Sequence, residues 1–240
     1  MITPFVRKLR RGAHLSDQDE RLLADLCRAT QQIGQHQDIF EEGDSPRSLT
    51  IVLSGWACCY KVLANGRRQI IAFFLPGDLC EPFGILPRFM DHAVGALTPL
   101  TYARVRPEQV KATAQSSPAL DEAFWWDALV AMAMQNERVV SIGRRQAVER
   151  VGHLFCELQA RLAMIGMGNR SGFELPLTQT DLADALGLSS VHINRSLQDL
   201  RGSGLIRLKG RYLDIPDLKS LQDASLFDPS FLHLEDKDAG

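Results

Sequence analysis

Long apolar runs, paired cysteines and low-complexity tracts are all missing from this 240-residue sequence, and each gap closes a class of function. No stretch approaches the roughly 18 to 20 consecutive apolar residues that span a bilayer, so no membrane segment is expected. The opening MITPFVRKLRRGAHLS carries basic residues but neither the apolar centre nor the small-residue cleavage site of a secretory signal. The five cysteines (27, 58, 59, 80 and 156) are odd in number, and none is spaced as C-x2-C. Reduced thiols in a cytoplasm are therefore expected, and a disulfide framework or zinc knuckle is argued against. Against these absences stand a hydrophobic share of 45% and a charged share of 23%, the balance of a globular chain with a real core.

Net charge is also small, −2 at pH 7, but it is unevenly spread. Residues 1–143 carry 15 basic and 16 acidic side chains, residues 144–216 carry 10 and 7, and residues 217–240 carry 2 and 6. The basic excess concentrates in 195–211, where Arg195, Arg201, Arg207, Lys209 and Arg211 face only Asp199. A basic strip on a near-neutral chain is either a solvated face or a polyanion contact, since phosphate neutralisation supplies much of nucleic-acid affinity.

The texture changes along the chain. Residues 17–30 read as a short amphipathic helix with Leu22, Leu23 and Leu26 on its apolar side. From Ile33 to Val105, β-branched or aromatic runs at 50–53, 56–62, 69–75 and 100–105 alternate with the turn signals EEGDSP, LSG, NG and LPGD. Regularly spaced short strands predict a sandwich or roll, with Asn65-Gly66 as a two-residue hairpin turn. Pro118 then opens a long helical segment. In it Trp125, Leu129, Met132, Asn136, Val139 and Gly143 recur at spacings of four and three, a heptad seam. Such a seam suits either a helix packed on its own β-domain or a parallel pair of helices, with Asn136 fixing register; a dimer is the favoured expectation. A further helix over 145–166 has Val148, Val151, Leu154, Phe155 and Leu158 as its apolar face, and ends in a Gly-rich break.

The stretch QTDLADALGLSSVHINRSLQDLRGSGLI, 179–206, holds the clearest functional signal. Thr178 with Asp181 forms a capping-box-like start, Asp standing in for the usual Glu. Gly187 permits a sharp turn, and Ser189 caps a second helix. That helix keeps Ile193, Leu197 and Leu200 for its core, which turns Ser190, Asn194, Arg195 and Gln198 outward. Two helices joined by a tight glycine turn make a helix-turn-helix, and this second helix offers the bidentate groups a major-groove reader needs. Arg forks onto guanine and Asn pairs with adenine, whereas Thr178, Ser189 and amides at the helix start suit phosphates, with Gln179 a further candidate DNA contact beside Thr178. His192 and Arg201 lie on the same helix, and Lys209-Gly210-Arg211, between two short strands, reads as a wing over the backbone. An αα-hairpin with polar residues merely solvated is the competing reading.

Over nearly its whole length the sequence resembles the CRP/FNR family of bacterial transcription regulators. EEGD at 41–44, VLSGWA at 52–57 and LPGD at 75–78 match the family's glycine-bearing turns at Gly43, Gly55 and Gly77, and 178–206 matches its DNA-binding pattern. The resemblance implies an α+β chain. Its parts would be an N-terminal β-roll (jelly-roll, cyclic-nucleotide-binding-like) over 1–118, a dimerisation helix and hinge over 119–145, a winged helix-turn-helix over 146–216, and an acidic tail over 217–240. It also places Ser190, Val191 and Arg195 where relatives contact bases, and Asn194 where one branch has a base-reading Ser. Val191 departs from the usual Glu and can offer only apolar contact, for instance to a thymine methyl.

The family fold leaves the signal open. Relatives that bind cyclic nucleotides use a Gly-Glu pair for the ribose, and an Arg, a small hydroxyl residue and Ala for the phosphate. Here those stretches read Gly84-Ile85 and Asp91-His92-Ala93. A carboxylate in place of the Arg fork repels a phosphate, so cyclic AMP is argued against. A single N-terminal Cys27 likewise argues against the family's iron–sulfur cluster. Cys58 and Cys59 adjoin on a strand and point to opposite faces; small hydrophobes or a thiol sensor are the two readings, and Cys80 near Glu81 and His92 shares the second. His36, His92 and His153 receive no ligand role, and no cofactor is expected. The expected protein is not an enzyme but a homodimeric regulator that binds double-stranded DNA at near-palindromes, RNA polymerase being a partner implied by family alone. A cupin-like enzyme would need a third His beside His36 and His92, and a dimeric interaction module with a degenerate reader is the other rival.

Overall fold

In the computed structural model, residues 3–45, 48–81, 89–169 and 171–234 are described. Two compact units emerge, Met1–Met132 and Ala133–Leu234, and the cut falls inside the long helix. In the first unit, β-branched and aromatic runs pair as antiparallel strands: β1 (Thr30–Ile33), β2 (Asp38–Phe40), β3 (Leu49–Ser54), β4 (Ala57–Val62), β5 (Arg68–Phe74), β6 (Ala93–Ala96) and β7 (Leu100–Val105). One sheet has the order β1-β7-β3 and the other β2-β6-β4-β5. Ile39, Val52, Cys59, Cys80, Val94, Leu100 and Tyr102 form one buried cluster of this roll.

A second cluster joins Leu49, Ile51 and Val105 of the strands to three helices. These are α1 (Pro4–Leu9), through Phe5, Val6 and Leu9; α2 (Asp17–Leu26), through Leu23; and the start of α4 (Pro118–Arg144), through Leu120 and Ala123. A buried ion triad pins the same elements, since Lys8 Nζ lies 2.7 Å from Asp78 and 2.5 Å from Asp127. Burial alone would lower the Lys8 pKa; the carboxylates of Asp127 and Asp78 outweigh it and raise the value to about 12.

Four strands match the expected runs, while β1, β2 and β6 were not foreseen. β6 is AVGA, small residues buried at every position, so no alternation betrays it. The helix expected over 17–30 stops at Leu26, because Thr30 already pairs with Ala103 of β7. α1 and α3 (Pro107–Ala114) are additions, each opened by a proline at its first turn. Asn65-Gly66 does not form a two-residue turn. Gly66 N–H donates to the Leu63 carbonyl and Leu63 N–H to the Arg67 carbonyl, closing a three-residue loop. Gly66 takes the left-handed position at φ +81, the bulged hairpin geometry. The three turn glycines, Gly43, Gly55 and Gly77, have φ of +94, +83 and +94.

In the second unit, α5 (Ala147–Met164) is central, and Val151, Leu154, Phe155 and Leu158 are at most 1% exposed. Around it pack α6 (Gln179–Leu186), α7 (Ser190–Gly202) and a small sheet of order β8-β10-β9, with β8 (Gly172–Glu174), β9 (Arg207–Lys209) and β10 (Tyr212–Asp214). The acidic tail expected from 217 is folded as far as it is described. α8 (Leu218–Ala224) and a 3-10 turn at Pro229–Leu232 bury Leu221, Phe227 and Leu232. Its charge lies on the exposed side, and three widely spaced apolar residues anchor it.

Candidate nucleic-acid interface

The reader is assembled from local rules. Thr178 Oγ accepts from the Asp181 amide at 3.1 Å and the Asp181 carboxylate accepts from the Thr178 amide at 3.0 Å, the reciprocal cap read in the sequence. α6 then ends at Gly187, φ +63 and ψ 37, a left-handed conformation that a Cβ would penalise. Ser189 opens α7, its Oγ accepting from the His192 amide at 3.3 Å and lying 2.9 Å from His192 Nδ1. The inner face of α7 is closed: Ile193, Leu197 and Leu200 are at most 6% exposed.

The outer face is the opposite. Ser190, His192, Asn194, Arg195, Gln198 and Arg201 are exposed, and Val191 is 74% exposed. Among the described residues, no hydrogen bond or ion pair engages the side chains of Ser190, Asn194, Arg195, Gln198, Arg201, Lys209 or Arg211. The helix thus presents free donors and acceptors at successive turns, with its positive dipole end at Ser189. Thr178 and Gln179 lie exposed at the start of α6, but the Thr178 hydroxyl is committed to Asp181 at 2.6 Å. In the wing, β9 and β10 pair with Tyr212 opposite Lys209 and Asp214 opposite Arg207, and the turn is Gly210-Arg211. Arg207 is drawn back to Asp214 at 3.6 Å, so the wing projects Lys209 and Arg211 instead.

Sequence reasoning missed Arg150. Its guanidinium donates to the Arg145 carbonyl at 2.9 Å and to the Leu186 carbonyl at 3.2 Å. Both acceptors are backbone atoms, one of them 36 positions away, so no motif could signal it. Beside it lies a layer of buried charge: Glu157 with Arg161 at 3.1 Å and Arg138 at 3.5 Å, and Arg145 with Glu137. His153 Nε2 is 3.2 Å from Glu137 without the alignment of a hydrogen bond, and its ring stacks on Phe231 and meets Phe227 edge-on. Burial, followed by the Arg145 cation, pushes the His153 pKa down to about 4.

On α4 the seam residues are exposed: Trp125 at 65%, Leu129 at 44%, Met132 at 58% and Val139 at 72%, with Asn136 exposed as well. Val140 and Ile142, not singled out in the sequence, add to this surface. In the roll, Gly84-Ile85 lies outside the described residues. The Asp91 carboxylate lies 2.8 Å from His92 Nδ1, a bond that holds its pKa low. Glu81 is buried, one oxygen accepting from the Thr50 amide, and burial pushes its pKa up to about 8. Cys58 and Cys59 are both buried. Burial raises the thiols of Cys27 to about 11 and of Cys59 to about 12, and that of Cys80 well above the ordinary value. Among the described residues, no cluster of three or more His, Cys, Asp or Glu could hold a metal ion, and no helix is long and apolar enough to cross a membrane.

Two family descriptions match the two units: a cyclic nucleotide-binding domain over residues 30–117 and a Crp-like helix-turn-helix domain over residues 149–224. The nitrogen fixation regulation protein FixK of Azorhizobium caulinodans is 31% identical over 175 residues, 72% of this chain and 69% of that protein. This chain belongs to the CRP/FNR family. Another relative within the CRP/FNR set is the transcriptional activator protein FnrL of Cereibacter sphaeroides, 26% identical over 77% of this chain and 75% of its own. The solved structure of FixK2 from Bradyrhizobium japonicum shares the CRP/FNR fold with a TM-score of 0.72 and 24% identity, over 81% of this chain and 96% of that one. CRP/FNR members are DNA-binding transcription regulators, and this chain has their α+β order of β-roll, long helices and helix-turn-helix.

Proposed function

We propose that this chain regulates transcription in the cytoplasm as a homodimer that reads near-palindromic DNA. One observation carries the reading: Ser189 caps α7 and its apolar face is buried, while Ser190, Asn194, Arg195 and Gln198 have no side-chain partner among the described residues. Arg195 forks onto guanine, Asn194 pairs with adenine, and Val191 packs on a thymine methyl in place of the cytosine contact that a Glu would make. Gln198 and His192 extend the contact along the groove, and Ser189, Gln179 at the helix start that Thr178 caps, Arg201, Lys209 and Arg211 hold the backbone on either side. Trp125, Leu129, Met132, Asn136 and Val139 of α4 pair with their copies in a second chain, a reading supported by the exposure of the four apolar members along one helix. A twofold pair sets two copies of α7 about 34 Å apart, one turn of duplex.

The roll modulates that affinity without cyclic AMP or an iron–sulfur cluster. An ionised Asp91 stands where a cyclic phosphate needs a cation, and the single N-terminal cysteine, Cys27, cannot supply the clustered thiolates that the iron–sulfur cluster takes. RNA polymerase is the partner the promoter-bound dimer meets. Selection of duplexes from a random pool tests the whole reading. A two-fold symmetric motif whose guanine preference disappears in R195A supports it; equal affinity for every duplex, abolished together by salt, overturns it.

A further inference from the structure

Arg150 stands in the first turn of α5, and its guanidinium is forked between two helix ends. Nε reaches the Arg145 carbonyl, just past the end of α4, and a terminal nitrogen reaches the carbonyl of Leu186, the last residue of α6. Both are among the carbonyls that a helix leaves without internal partners, at the negative end of its dipole. Leu186 immediately precedes the Gly187 turn into α7. A planar guanidinium fixes two acceptors at a set separation, which a single ammonium does not. The Arg145 side chain extends the clamp, donating to Glu137 of α4 and to the Leu226 carbonyl at 3.1 Å. Every member of this chain of contacts lies within Ala133–Leu234.

We propose that Arg150 is a positioning residue that sets the angle of α7 against the last turns of α4, and thereby the half-site spacing the dimer accepts. The inference rests on the DNA-reading dimer proposed above. In a twofold pair the two readers are placed only through their own long helices, so a small rotation at the Arg150 fork is doubled across the axis. A single half-site senses one reader and is indifferent to that angle.

The test titrates full-length wild type, R150Q and R150K against duplexes bearing the selected half-site as inverted pairs with the spacer varied by single base pairs, and against a lone half-site. Thermal melts accompany each variant. Wild type is expected to bind one spacer sharply. R150Q is expected to lose about two- to thirty-fold at that spacer, to flatten the spacer profile, and to keep its affinity for the lone half-site. R150K, which retains the charge but not the fork, is expected to fall between them. Should R150Q fail to fold, a flattened profile in R150K supports the role and an unchanged one overturns it. Equal loss on every probe, the lone half-site included, also overturns it, because Arg150 then only holds the reader together. A sharp wild-type profile kept by R150Q sinks the role of Arg150 alone, whereas a wild type with no spacer preference sinks the dimer reading and this role together.

Discussion

α5 and α7 lie in the same unit and both carry polar and charged side chains, yet they use them in opposite ways. In α5, His153, Glu157, Gln159 and Arg161 are all buried, and Glu157 is held between Arg161 and Arg138. In α7, the buried side chains are Ile193, Leu197, Leu200 and the small Ser196, while Asn194, Arg195, Gln198 and Arg201 are exposed and meet no partner among the described residues. A paired, buried charge is an element of architecture, because removing its partner strands it in low dielectric. A free, exposed one costs the fold nothing to change, and its energy is available to a ligand. The same residue types are therefore read as structure in one helix and as function in the other.

Four experiments press on that contrast. The largest effect is expected from E157A, which removes the buried carboxylate between Arg138 and Arg161 and should cost about 3 to 5 kcal/mol of stability in a denaturant titration. Acid should follow. The folded His153 value of about 4 lies below the ordinary 6.5, so the unfolded chain takes up the proton first. The stability this group contributes is full above pH 6.5 and is lost as pH falls towards 4. Urea midpoints measured across that window should decline, and H153Q should flatten the decline; an H153Q protein with the wild-type slope would place the titration elsewhere. On α7 the consequences move from fold to ligand. R195A should lose about 1 to 3 kcal/mol of specific DNA affinity while its melting temperature stays at the wild-type value, since that side chain supports nothing in the fold. V191A is expected to be smallest, below about 1 kcal/mol, and confined to duplexes with thymine at the contacted position; competition against the uracil-substituted duplex, which lacks the methyl, isolates it.

Much of this was legible because it is local. The Thr178–Asp181 cap, the Gly187 turn and the apolar spacing of α7 are short-range rules, and they appear where the sequence put them. The seam of α4 was legible as a period, and its residues are exposed. The strand β6 was not legible, because AVGA has no alternation when both faces are covered. Nor was the folding of 217–234, where acidic composition masked the anchors Leu221, Phe227 and Leu232. The hairpin at Asn65-Gly66 was legible as a turn but not as the three-residue kind, since loop length depends on where the flanking strands stop pairing.

By itself the sequence determined that α2, α4, α5, α6 and α7 form, where the two reader helices are capped, which of their faces are apolar, and that a basic strip runs from the second of them into the wing. These properties depend on residues within a few positions of one another, and helix periodicity makes them readable. Tertiary structure alone decided which charges remain free: that Arg207 is taken by Asp214 while Arg195 is not, that Glu157 is caged, and that Arg150 reaches across 36 positions to a backbone carbonyl. The reason is physical. A charge is spent or spared by what lies within a few ångströms of it, and that neighbourhood is assembled only when distant segments of the chain come together.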